Sequence, residues 1–258
     1  MTYPFFASAA CALLASACPI PKQTPSTDKI KLSGFLQTQF RDSRQAGKTQ
    51  HSFEVRRARL SAEVVINEQA LAKVSLELAG GKNRSTVEMR DVALIFKSKG
   101  SHGLRLTAGQ FGSPIGFEMP TSSSTIELPE RVTYNRTLFS GKRFRGVMAE
   151  QTLEGGITLY GGVVNALTSE DAEQSSLSPG AGARLAGFAG VKFKQGKQQY
   201  GLGYFAGKRP EFTSGGTSPE VDRNFLYADA QFTDIMGSGL YFRGELMTGQ
   251  DRVPSSTG

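Results

Sequence analysis

Phe53-Glu-Val-Arg-Arg-Ala-Arg-Leu-Ser-Ala-Glu-Val-Val-Ile66 alternates from Arg57 onward, with Arg57, Arg59, Ser61 and Glu63 on one side of an extended chain and Ala58, Leu60, Ala62, Val64 and Ile66 on the other. Successive side chains of a strand point to opposite faces, so this period of two predicts a strand with one polar and one apolar face. A helix would mix the two sets around its circumference. Neighbouring segments repeat the pattern. Ala72, Val74, Leu76 and Leu78 alternate with Lys73, Ser75 and Glu77, and Leu104, Leu106 and Ala108 with Arg105 and Thr107. Further along, Leu185, Val191 and Phe193 stand against Arg184, Lys192 and Lys194.

Working outward from these segments, the same reading predicts eleven strands, over roughly 30–41, 53–66, 70–79, 87–97, 104–112, 143–152, 156–165, 183–194, 199–208, 223–233 and 240–249. Most are about ten residues long, which suits a bilayer crossing at a tilt of about 45°. Their connections alternate in length. Long ones at 41–52, 80–86, 112–142, 166–181 and 209–222 are separated by short ones at 67–69, 98–103, 153–155, 195–198 and 234–239. Tight turns on one side and extended loops on the other describe an outer-membrane barrel, whereas a soluble sandwich has little reason to sort its loops in this way.

The cost of charge in lipid then orients the strands. An Arg or Lys facing lipid near the midplane costs roughly 2–4 kcal/mol, so the apolar faces meet outer-membrane lipid and the charged faces meet the lumen. Arg57, Arg59, Lys73, Arg105, Arg184, Lys192 and Lys194 are the candidate lumen bases. Arg56 falls on the lipid side, near the outer end, where the cost drops to about 0–1 kcal/mol.

Composition narrows the chemistry. The chain has 258 residues, a net charge of +7 and a pI near 9.5, which suits an anion pathway, a nucleic-acid surface or an anionic membrane surface without choosing among them. No apolar run reaches 18 residues beyond the N-terminus, which excludes a transmembrane helix there. Cys11 and Cys18 are the only cysteines and His51 and His102 the only histidines, so a metal site, a cofactor and a nucleophile with its base all lack ligands or partners. The chain is not expected to be an enzyme. Gly201-Leu-Gly-Tyr-Phe-Ala206 matches a G-x-G-x-x-A phrase, but no helical pattern follows it, and glycines within strands mark bends or close packing.

At the N-terminus, the apolar Phe5–Ala17 stretch with Ala15-Ser-Ala17 reads as a signal peptide over 1–17, although basic residues before it are missing. A Pro/Ser/Thr-rich spacer occupies 18–29, and 30–258 is the barrel region, with 112–142 as a long third loop.

Two phrases, Phe53-Glu-Val-Arg-Arg-Ala-Arg-Leu-Ser61 and Leu104-Arg-Leu-Thr-Ala-Gly-Gln-Phe-Gly-Ser-Pro-Ile-Gly-Phe-Glu118, resemble the strand and the strand-to-loop junction of the phosphate-selective porin O and P family. Met89-Arg-Asp-Val-Ala93, Leu128-Pro-Glu-Arg131 and Gly141-Lys-Arg-Phe-Arg-Gly-Val147 follow that family's order, so the likeness covers about 53–165 and extends more loosely to 249. The resemblance implies an all-β, transmembrane antiparallel β-barrel of the porin type. It further implies a homotrimer and passive diffusion of inorganic anions such as phosphate or polyphosphate past a ladder of Arg and Lys. The loop at 112–142 takes the place of the family's inward-folded third loop, and Ser122, Ser123, Ser124, Arg131 and Arg136 are its candidate constriction residues. Family barrels have about sixteen strands, so eleven predict an incomplete, C-terminally truncated barrel.

Two alternatives stay open at this level. One is an outer-membrane barrel that does not conduct. The other is a soluble basic β-protein binding nucleic acid or polysaccharide, which would want aromatics clustered on a polar face. The Phe and Tyr residues read instead as scattered near strand ends and lipid-facing positions, and nucleic acid is not an expected partner.

Overall fold

The computed structural model describes residues 29–45, 48–79, 87–100, 103–125, 132, 138–139, 143–166, 184–210 and 220–251. The expected signal segment, all of the spacer but Lys29, and both Arg131 and Arg136 lie outside the described residues. Eleven strands follow one another: β1 Ile30–Gln45, β2 Lys48–Asn67, β3 Ala70–Ala79, β4 Glu88–Lys97, β5 Leu104–Gly112, β6 Arg143–Thr152, β7 Ile157–Asn165, β8 Leu185–Gln195, β9 Gln198–Pro210, β10 Glu220–Phe232 and β11 Phe242–Asp251. They form one antiparallel sheet in chain order, with β1 and β11 as its two edges. Every strand expected from the period of two is therefore present. Short turns such as Asn67–Ala70 and Gln195–Gln198 join the strands at one end of the sheet, the short-turn end.

The outer face is apolar across the sheet. Leu60, Val74, Leu106, Val147, Leu159, Leu202, Leu226 and Leu246 are each 38–70% exposed. A contiguous apolar band of this extent is foreign to a water-facing surface and matches the lipid band of a barrel. At the short-turn ends of β8–β11, Phe193, Tyr200, Phe232 and Phe242 form a belt with successive ring centroids 6.3, 5.6 and 6.2 Å apart. Aromatic rings with one apolar and one wet side belong at a membrane interface.

Three features depart from the sequence reading. The connection expected at 41–52 is mostly strand, because β1 runs on to Gln45 and β2 begins at Lys48, paired residue by residue. Its sequence is a run of polar residues without alternation, yet the backbone ladder continues. Secondly, the register passes from Gln37↔Arg57 to Thr38↔Val55 and skips Arg56. Arg56 is the additional residue of a β-bulge, which reverses the alternation there. Phe53 and Val55, at 88% and 47% exposure, therefore share the outer face with Ala58 and Leu60, and strict parity no longer assigns Arg56 to the lipid side.

The third departure is inside. Phe144, Phe188, Phe205 and Phe225 of β6 and β8–β10 are buried on the concave face rather than scattered over the outside. Phe139, from the long segment after β5, sits among them with centroids 6.1, 5.6 and 5.6 Å from Phe144, Phe205 and Phe225. Ile115 and Met119 of the same segment join this cluster at 0% and 2% exposure. Below it, the Tyr160 and Tyr227 hydroxyls meet at 3.0 Å across β8 and β9. Gly190 and Gly203 lie between them, and a Cβ on either would collide with a phenol. That close approach is the role of the second glycine in Gly201-Leu-Gly203.

Candidate anion pathway

The aromatic cluster fills one half of the concave side, and the other half stays open. There, between the wall and the segment following β5, lies a cavity of about 640 Å³. Its cationic lining comes from Arg57 and Arg59 on β2, Lys73 on β3, Arg90 on β4, Arg105 on β5, Arg143 on β6 and Lys192 on β8, against the two carboxylates Asp91 and Glu150. Ser61, Ser75 and Thr107 add hydroxyls from the wall, and Ser122, Ser123 and Ser124 add them from the facing segment.

The cations are held in place by specific partners. Arg59 donates to Glu77 from Nη2 at 2.8 Å and from Nε at 3.2 Å, and lies over the Phe35 ring at 5.2 Å. Arg57 donates to the neutral Gln37 Oε1 at 3.0 Å. Asp91 is shared by Lys73 at 3.4 Å and Arg143 at 2.5 Å, and Arg105 faces Glu150 at 3.1 Å. Lys192 sits 5.2 Å from the centre of the Tyr160 ring. Even with Glu77 included, the cationic side chains exceed the carboxylates by four. Guanidinium and ammonium groups fixed in this way can replace water around an anion with charge-assisted hydrogen bonds.

Five of the seven bases expected to face the lumen, Arg57, Arg59, Lys73, Arg105 and Lys192, thus line one cavity. Arg184 precedes β8, where its carbonyl accepts from the Ala166 N–H, and Lys194 is exposed near the periplasmic end of β8; neither lines it. Ser122 and Ser124 share a hydroxyl hydrogen bond of 2.8 Å, while Ser123 is buried and its carbonyl accepts from Gln37 Nε2 at 3.0 Å.

Arg90 and Arg143 also line the cavity and escape the alternation rule. In β4 the register passes from Ser75↔Asp91 to Leu76↔Met89, so a bulge lets the adjacent Arg90 and Asp91 both reach the cavity. Arg143 opens β6 opposite Gly112, and its guanidinium reaches Asp91. The signals in the sequence were the adjacent Arg90-Asp91 pair and the basic Lys142-Arg143 pair at the start of β6, neither of which alternation picks out.

At the periplasmic end, the Asp234 carboxylate accepts from Lys197 at 2.6 Å and from the Gly239 N–H at 3.0 Å. The Lys197 ammonium, then the Gly239 N–H, hold its pKa below the ordinary aspartate value. Among the described residues, no group of three or more His, Cys, Asp or Glu side chains is placed to hold a metal ion.

The sequence profile described as "Phosphate-selective porin O and P" matches residues 31–248. The chain belongs to that family. Its place is the bacterial outer membrane, which removes the soluble alternative. A search of curated proteins returned no match. Among solved structures the porin is similar to a loop-deletion mutant of OmpT, an outer membrane protein of Vibrio cholerae, at 12% identity and a TM-score of 0.42. That alignment covers 79% of this chain and 64% of the other, so the chain spans less than two thirds of that protein's length.

Proposed function

We propose that this porin carries small anions of the phosphate class, including polyphosphate, passively through the basic half of its lumen. The carrying observation is the excess of fixed cations around one open cavity faced by three serine hydroxyls. Phosphate offers several oxygens to such a site, and arginine's planar fork can engage two at once. The ion pairs with Glu77, Asp91 and Glu150 moderate the field, which favours several weak sites over one tight trap. Conduction requires binding weak enough for the ion to leave again. Ser122, Ser123 and Ser124 act as the constriction facing Arg57 and Arg59.

The assembly in this reading is a homotrimer. The outer face of β1–β3, where Leu32, Leu36, Leu60 and Val74 are exposed beside Phe40 and Phe53, is the surface a second copy of the chain would cover in this reading. Uptake of labelled phosphate into vesicles containing the protein tests the reading. Uptake faster than that of a cation of similar size supports it, and equal exclusion of both favours a barrel that does not conduct.

A further inference from the structure

The segment after β5 first meets β11, a strand 128 residues away in sequence, and then reaches β1 at Ser123. On β11, Glu245 Oε2 accepts two successive backbone N–H groups, from Phe117 at 3.0 Å and from Glu118 at 3.1 Å. Gly116, at φ +61°, sets up this approach, and a Cβ there would collide with the Glu245 carboxylate. Two consecutive donors on one carboxylate form a small anion-binding concavity of backbone.

The surroundings of Glu245 make this contact more than incidental. Its cross-strand partner on β10 is Asp229, at 6% exposure and with no hydrogen-bond partner on either carboxylate oxygen. Like charges directly opposite each other destabilise a sheet, so a carboxylate at position 245 costs stability unless donors engage it. The two loop amides are such donors. Around them, Ile115 and Met119 anchor the segment in the aromatic cluster, and the Gln37 bond to the Ser123 carbonyl fixes its far end on β1.

We infer that Glu245 is a positioning residue of the pore: it latches the inward segment to β11 and thereby sets where Ser122, Ser123 and Ser124 stand against Arg57 and Arg59. This role rests on the pore reading above, but the latch itself can be measured without conduction. Glu245→Ala removes the acceptor, Gly116→Ala opens the contact from the loop side with Glu245 intact, and Glu245→Gln keeps a neutral acceptor oxygen.

The test is residue-resolved amide exchange on the full chain in detergent or lipid, followed by phosphate-over-chloride discrimination of the same variants. Exchange at Phe117 and Glu118 rises about tenfold or more in Glu245→Ala and Gly116→Ala, and less in Glu245→Gln, while the β6–β7 ladder amides keep their protection. The double alanine variant matches the single ones. Unchanged exchange at Phe117 and Glu118, or an equal loss of protection throughout the ladder, overturns the latch. Faster loop exchange in a protein that shows no anion flux upholds the latch and overturns the pore.

Discussion

Arg59 donates from both Nε and Nη2 to a single oxygen of Glu77, and the other oxygen of that carboxylate accepts from the Ala58 backbone N–H at 3.0 Å. Glu77 is 1% exposed, so the pair is part of the wall, with the guanidinium as its lumen side. Breaking such a pair from one side leaves the other charge stranded.

Arg59→Ala should therefore do two things at once. It strands the Glu77 carboxylate, at a cost of about 1–3 kcal/mol for an unsatisfied buried group, and it makes the local field less positive. The double change Arg59→Ala with Glu77→Gln should recover part of both the stability and the anion preference. Urea unfolding together with ion selectivity checks this, and a double variant worse than the single one contradicts it.

The outer face makes a simpler prediction. Leu60 lies in the middle of β2 on the lipid side, so Leu60→Arg should cost about 2–4 kcal/mol of folding free energy in a bilayer. Ser61→Arg, one residue on and facing the cavity, should cost far less. Reversible folding into lipid vesicles measures both, and equal costs would mean that the two faces are misassigned.

Gly203→Ala places a methyl group against the Tyr227 phenol, inside the only spacing that lets Tyr227 meet Tyr160. Overpacking of this kind costs about 1–3 kcal/mol. A lowered unfolding midpoint is expected, and Tyr227→Phe in the same chain should relieve little of it, because the ring remains.

The Asp234 turn gives a pH dependence with a definite sign. Its carboxylate pKa is lowered in the folded chain by Lys197 and the Gly239 N–H, so the stabilisation is present above the ordinary aspartate pKa and is lost as pH falls through the lower, folded value. Protection of the Gly239 amide should persist below the pH at which free aspartate protonates, and Asp234→Asn should remove that dependence. Protection that falls at the free-aspartate value contradicts it.

Strand number and order were legible because alternation such as that of Leu60 and Ser61 is enforced by lipid on one side and water on the other. The β1–β2 extension was not, since its run of polar residues shows no alternation, and it is the backbone pairing from Arg41↔Ser52 to Gln45↔Lys48 that reveals it. Bulges at Arg56 and Arg90 shift parity by one residue without any mark in composition. The inner aromatic cluster was hidden for a related reason: in Phe225-Leu-Tyr227 both faces are apolar, so a period of two cannot say which side is inside. Glu245 reads as one carboxylate among many, and only the loop folding onto β11 gives it a role.

The central claim is that the basic half of the lumen conducts anions, and the reversal potential across a planar bilayer under a salt gradient tests it most directly. The account predicts step currents with a reversal potential on the anion side, reduced by added phosphate and shifted toward zero when Arg57 and Arg59 are both replaced by Ala. A cation-selective current, or an anion preference unchanged by that double replacement, would contradict it.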